Sequence, residues 1–270
     1  MTSIARPMTA YLSNGDSPDI RNPIHSTEVA QKYGFGGALV AGVTIYGWAA
    51  EVALAELGDT WLDDGWAEVA FRRPIYPAEP IVIRFEDDVD GHRLAVEGED
   101  GSVRMEGRVG LGTAPWFAEL TPPASLDVVA PDSIELTPLT IETAPVGTTL
   151  LPIGLANMDV DAARAQAETQ RSSDTRFTDG GRLHPAMLAG YTTSLAYGQF
   201  AFTPGIHVSS RVQHLGRADA APGYLVTGRI VDVSARNGRH RATIDGSLVR
   251  DGREISRARL GLIFAIETPA

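Results

Sequence analysis

Residues Asn22 to Leu57 read NPIHSTEVAQKYGFGGALVAGVTIYGWAAEVALAEL. A polar loop holding His25 leads through a short helical turn and the bend Gly34-Phe35-Gly36-Gly37 into one long apolar helix. No charged residue falls between Lys32 and Glu51. Val40, Val43, Ile45, Tyr46, Trp48, Val52, Leu54 and Leu57 point in every direction around the helix axis, so the helix is expected to be buried on most sides. Something has to wrap it, and the residues after Leu57 supply strands.

An uncharged run of this kind is also the mark of a membrane span. This one holds Gly34, Gly36, Gly37, Gly42 and Gly47, ends in an acidic stretch and has no flanking basic clusters. It reaches only the lower end of the roughly 17–25 residues a span needs. A core helix is therefore expected, with no membrane association. The 270 residues leave room for a sizeable core, and 43% hydrophobic with 21% charged residues is ordinary for a globular chain. No cysteine is present, which excludes disulfides, thiolate chemistry and cysteine-based metal sites. Residues 1–19 carry no apolar signal core, so a cytoplasmic location is expected. The net charge of −11, from 34 acidic and 23 basic residues, disfavours nucleic acid, whose binding depends on neutralising phosphates. One local basic cluster stands out, Arg236-Asn237-Gly238-Arg239-His240-Arg241. It reads as a hairpin turn between strands or, alternatively, as a phosphate clamp.

After the helix, Trp61 to Gly65 reads as a turn. Short strands come next at Trp66–Phe71, Ile81–Glu86, Leu94–Glu97 and Val103–Leu111, broken by Pro74, Pro77, Pro80, Gly91 and Gly101. This spacing after a buried helix suggests an antiparallel sheet curled around it. From Gly112 to about Pro152 the prolines at 115, 122, 123, 131, 138 and 145 forbid a continuous helix or a central strand. That stretch is expected to be a crossover contributing one strand, Ser133–Thr143, to the second half of the chain. Asp159–Thr169 should be a short exposed helix begun by an Asp cap. A second helix free of Asp, Glu, Lys and Arg opens at Leu183-His184-Pro185 and runs through Phe202. Strands succeed it at Ile206–His214, Leu225–Val233, Arg241–Val249 and Ile255–Ile266, with Asp251-Gly252 as a hairpin turn. The order helix, strand, break, three strands thus occurs twice.

Asn22-Pro23-Ile24-His25, then Gly34-Phe35-Gly36-Gly37, then a helix opening Val40-Ala41-Gly42-Val43-Thr44, resembles the hydratase motif of the MaoC-like proteins. These are hotdog-fold enzymes related to the R-specific enoyl-CoA hydratases. In that family the loop reads D-x-N-P-[ILV]-H, with the Asp and His acting on water, and the helix opens with His-Gly. Asn22, His25 and Gly42 match. Ile20 stands at the family's Asp position, with Asp19 one residue early, and Ala41 replaces the His before Gly42. The resemblance implies an α+β tandem (double) hotdog: two long buried helices, each wrapped by a curved antiparallel sheet. On that reading residues 1–112 form the first repeat, 113–152 the proline-rich crossover and 153–270 the second. Pairing two repeats joins their sheet edges and covers both helices, and a homodimer is the default assembly for such a core.

A hydratase of this kind adds water across the double bond of an acyl thioester borne by CoA or a carrier protein. The resemblance makes His25 the acid or base, and Asn22 the holder of the loop or substrate. The family's carboxylate has no placed equivalent here; rearrangement of the loop would be needed to bring Asp19, the preferred candidate, or Asp16 to the same water. An N–H at a helix start suits the enolate oxygen, and Gly42 has one to give. Pro185, in the equivalent place of the second repeat, has none. Any oxyanion hole is therefore expected in the first half. Further candidates to contact substrate are His184, which is otherwise a helix cap or a packed core residue, and Tyr191, which is otherwise core. By the period of two, His207, Ser209 and Arg211 share one strand face, with Arg211 either an anion anchor or an exposed strand residue. No metal or cofactor is expected, because no nucleophile elbow, phosphate-binding glycine loop or metal-spaced His pair occurs. The alternatives are a thioesterase, isomerase or cyclase on the same scaffold, or a non-catalytic binding or partner subunit.

Overall fold

Gly42–Leu57 forms the expected helix, and ten of its sixteen residues, from Thr44 to Leu54, are buried. In the computed structural model, which describes residues 3–13, 15–17 and 22–267, the chain opens with strand β1 (Ser3–Thr9). A 3-10 turn (Pro23–His25) and the short helix α1 (Thr27–Lys32) lead to α2, the Gly42–Leu57 helix. Gly58, at φ 69, ends α2, and α3 (Asp59–Asp64) succeeds it. The sequence pattern predicts a turn here. Burial of Trp61 and Leu62, with Trp61 Nε1 donating to the Trp66 carbonyl, makes it one more helical turn packed on the core. Strands β2 (Gly65–Phe71), β3 (Pro80–Asp88), β4 (Gly91–Gly98) and β5 (Val103–Leu111) complete the first unit.

The crossover contributes only the two-residue strand β6 (Thr137–Pro138), and the equally short β7 (Ile153–Gly154) comes directly after it. The longer Ser133–Thr143 strand does not form. Pro138 has no N–H to give a ladder, and β6 pairs only with β8. Next come α4 (Val160–Gln170), capped by the Asp159 carboxylate on the Ala162 N–H, and α5 (Thr175–Thr178). The second central helix, α6 (Pro185–Gln199), runs directly into β8 (Phe200–Ala201). Strands β9 (Ile206–His214), β10 (Leu225–Arg236), β11 (Arg239–Arg250) and β12 (Arg253–Ile266) close the chain.

The strand order is β1-β3-β4-β5-β2-β9-β12-β11-β10-β7, a single ten-stranded sheet. Its left and right halves mirror each other about the β2–β9 seam. There Trp66 to Ala70 pair antiparallel with Gln213 to Ser209. Both helices pack on one face of this sheet and against each other, and one continuous apolar core runs through both halves. The start of the crossover lies on the opposite face, where Trp116, Ala114 and Leu120 cover Trp66, whereas Leu139 and Leu150 further on join the main core. Arg259 and Asp245 tie it down by hydrogen bonds to the Glu119 carbonyl and the Thr121 N–H. Among the described residues no helix is long and apolar enough to cross a membrane.

Candidate functional site

The seam between the two halves leaves a cavity of about 260 Å³ beside the start of α2. His25 and Ala41–Val43 line it from the first half, and Thr193, Tyr197, His207 and Val208 from the second. Most of the remaining wall is apolar, including Ile24, Leu39, Phe71 and Leu262. Such a hollow with a few convergent polar groups is the usual form of a small-molecule site.

The loop carrying His25 is held by Asn22. Its side-chain amide donates to the Gly205 carbonyl at 2.5 Å, joining the first half to the second. Its Oδ1 accepts the Ile24 N–H at 3.4 Å and starts the 3-10 turn. His25 Nδ1 lies 2.7 Å from the Leu39 carbonyl oxygen. A carbonyl only accepts, so Nδ1 carries the proton and Nε2 presents a lone pair. Burial lowers the His25 pKa, with the Leu39 hydrogen bond opposing, so the ring stays neutral below its ordinary range. Among the described residues Nε2 has no protein partner.

The N-terminus of α2 faces the same cavity. Ala41, the N-cap, has φ −64 and ψ 137 and no side-chain cap, and the first capped donors are the N–H groups of Thr44 and Ile45 on the Ala41 carbonyl. The N–H groups of Gly42 and Val43 have no partner among the described residues. They form the positive end of a sixteen-residue helix dipole. Gly42 also permits close packing, because a Cβ there would sit 3.1 Å from the His207 Cβ and 3.2 Å from the Phe71 ring.

The second repeat is closed at the equivalent point. Pro185 takes the first helical position, and His184 Nδ1 accepts the Ala186 N–H at 3.1 Å. That fixes the tautomer, so His184 Nε2–H donates to Glu51 Oε1 at 3.1 Å. His184 is fully buried, lies edge-on to Phe177 and does not line the cavity. It is at once the cap and the packed core residue. Tyr191 is likewise core: its hydroxyl donates to the Gly246 carbonyl at 3.1 Å, away from the cavity.

A β-bulge separates His207 from Arg211. In the β9–β12 ladder Ser209 pairs with Gly261 but His207 pairs with Leu262, leaving Val208 as the extra residue. The period of two is broken there. His207 turns to the cavity, while Ser209 and Arg211 line a groove of about 680 Å³ on the outer face. Arg211 pairs there with Glu68 at 2.6 Å and Glu119 at 2.5 Å, so it does not anchor an anion in the cavity. That groove is larger than the cavity, but ion pairs line it, Arg72–Glu106 and Arg108–Asp88 among them. It is a solvated charged face.

His207 Nε2 lies 3.1 Å from the Ser209 carbonyl and 2.6 Å from Ser210 Oγ, so its proton is on Nε2. Its Nδ1 is buried with no partner, and burial pushes its pKa down to about 4. Thr193 Oγ1 is also buried without a partner, and nothing in the sequence pattern singled it out. Asp19 and Ile20 lie outside the described residues. Asp16 is used elsewhere, accepting the Thr27 N–H at 2.6 Å and hydroxyl at 2.8 Å at the start of α1. Among the described residues no carboxylate lines the cavity and no cluster could hold a metal ion. At the mouth stand Arg72, Arg73 and Arg239. Arg239 belongs to the hairpin cluster singled out in the sequence, and neither it nor Arg73 has an ion pair among the described residues.

Solved structures of the same architecture are known. A Chloroflexus aurantiacus J-10-fl protein named as a MaoC domain dehydratase superposes with a TM-score of 0.65 and 11% identity, covering 98% of this chain and 95% of that one. A MaoC-like dehydratase gives 0.59 and 14%, covering 97% and 98%. A Mycobacterium tuberculosis protein with a double hotdog fold gives 0.57 and 11%, covering 97% and 95%. The fold is a double hotdog, as in these proteins. No family model and no curated protein matches the sequence. The likeness is therefore one of fold, and it places α2 and α6 as the two central hotdog helices.

Proposed function

We propose that this double hotdog is a hydratase or dehydratase acting on an acyl thioester, with an active site built at the start of α2. One observation carries the reading. The lone pair of His25 and the free N–H groups of Gly42 and Val43 converge on one largely apolar cavity. An acyl chain fills the apolar wall. The thioester oxygen, negative in the enolate, accepts from Gly42 at the helix end, where the dipole stabilises it most. His25 Nε2 takes a proton from water as its oxygen bonds to the β-carbon. The same imidazolium then returns the proton to the α-carbon, so no net proton is gained or lost. Asn22 positions the loop by its tie to Gly205. Arg73 and Arg239 give the mouth a positive rim, in a chain of net charge −11, suited to the phosphates of a carrier.

The absence of a carboxylate from the cavity among the described residues favours a second reading. One imidazole and an oxyanion site, without a paired carboxylate, suit thioester hydrolysis, isomerisation or cyclisation. Product mass separates these, because hydrolysis frees a thiol and hydration adds water. The test is turnover of crotonyl-CoA and a longer 2-enoyl-CoA, following the conjugated double bond and any free thiol. His25→Ala, with its thermal melt unchanged, is expected to lose roughly 10²–10⁴-fold in rate. Unchanged turnover in that variant overturns the reading, and ligand binding without any turnover points to a non-catalytic subunit.

A further inference from the structure

Two polar atoms in the cavity play no part in the hydration chemistry of His25 and Gly42. Thr193 Oγ1, on α6, and His207 Nδ1, on β9, are both buried and both lack a hydrogen-bond partner. Elsewhere on α6, Tyr191 donates to the Gly246 carbonyl and Gln199 to the Leu151 carbonyl. The two orphaned nitrogens of His214 belong to a ring packed in the core, edge-on to Trp61. Thr193 and His207 instead border open space. A buried polar atom without a partner is costly, and a ligand that supplies the partner recovers that cost.

We propose that Thr193 and His207 form a subsite that recognises a hydroxyl group on the acyl chain, away from the reacting carbons. The proposal rests on the thioester reading and narrows its substrate class to hydroxylated acyl chains. The chemistry of the two atoms selects the group. His207 carries its proton on Nε2, where Ser209 and Ser210 hold it, so Nδ1 only accepts. Thr193 Oγ1 both donates and accepts. A hydroxyl meets either atom, whereas a ketone oxygen serves only Thr193 and a methylene serves neither. A site built to bond a substrate hydroxyl discriminates strongly against the analogue lacking it, because its own groups are then left unpaired.

The experiment is calorimetric titration of the protein with hexanoyl-CoA and with its 4-, 5- and 6-hydroxy derivatives, all saturated and therefore unreactive towards hydration. At least one hydroxy derivative is expected to bind roughly tenfold more tightly than hexanoyl-CoA. Thr193→Val, nearly equal in shape, should erase most of that gap while leaving hexanoyl-CoA binding unchanged or tighter. Thr193→Ser should restore the gap. Equal affinities across the series in the natural protein overturn the subsite, because water then serves the two atoms equally well. A gap that Thr193→Val leaves untouched overturns it too. If no CoA ester binds at all, the thioester reading itself fails and the subsite with it, a result distinct from equal binding.

Discussion

The starts of α2 and α6 hold equivalent positions in the two repeats, yet one is open and the other sealed. Ala41 and His184 have nearly the same backbone, at φ −64 and ψ 137 against φ −65 and ψ 144. Each helix begins beside its strands and is buried on most sides. At α6, however, Pro185 removes the first N–H and His184 Nδ1 takes the second. At α2, Gly42 and Val43 leave both donors facing a cavity. The backbone is shared and the side chains decide what the dipole can do. On the proposed function, a duplicated fold has here divided its labour, with one helix end for structure and one for binding.

The comparison extends to the imidazoles, and there the largest effect on stability is expected. His184 has both nitrogens satisfied, whereas His207 has one orphaned nitrogen and His214 has two. Burial holds His207 and His214 near pKa 4, while in the unfolded chain both titrate near 6.5. Between these values the unfolded state binds more protons. The stability present above pH 6.5 is therefore lost progressively as the pH falls towards 4, by up to about 3 kcal/mol per imidazole. Denaturant unfolding measured at pH 7 and pH 5 checks this. His214→Leu should flatten the dependence, and a flat profile in the natural protein would contradict the burial of these rings.

Removing the seal from α6 is expected to cost less. His184→Ala leaves the Ala186 N–H uncapped and Glu51 without its partner, a loss of about 2 kcal/mol in unfolding free energy. Turnover should not change. A selective loss of turnover at full stability would return His184 to the site. Smaller still is the effect of Pro185→Ala, expected within about 1 kcal/mol. It frees one N–H but creates no second site, because His184 still occupies the next donor. Any gain of ligand binding at α6 in that variant would break the comparison.

Much of this contrast is legible in the sequence, because it rests on elementary residue chemistry. A proline has no N–H wherever it stands, so Gly42 against Pro185 already tells the two helix starts apart. The repeated order of helix and strands reveals the architecture for a similar reason, since uncharged runs mark the buried helices and glycine and proline mark the breaks. Parity and packing do not show in the same way. Val208 enters β9 as a bulge, and one inserted residue sends His207 and Arg211 to opposite faces. Trp61 forms a helix where the pattern predicts a turn, because its indole and Leu62 find the core. Thr193 carries no mark of its own, as a threonine on an apolar helix does not announce which side meets a cavity. Its one signal is Tyr197, four residues on and so on the same face. Arg239 is visible only as part of a turn, because its neighbours at the cavity mouth, Arg72 and Arg73, lie far away in sequence.

The open helix end is the central claim, and exchanging its chemistry for that of the sealed one tests it most directly. The Ala41 backbone already suits a following proline, as the His184 backbone does, so Gly42→Pro can be accommodated at the first helical position. Gly42→Ala is the matched control. It adds a Cβ against His207 and Phe71 just as proline does, but keeps the N–H. With both variants shown to be folded by their thermal melts, kcat/KM on the 2-enoyl-CoA that the natural protein turns over best is compared between them. The account predicts that Gly42→Pro falls roughly 10²–10³-fold below Gly42→Ala, the usual loss for one oxyanion donor. Equal activity in the two variants would contradict it and leave the start of α2 without a role in catalysis.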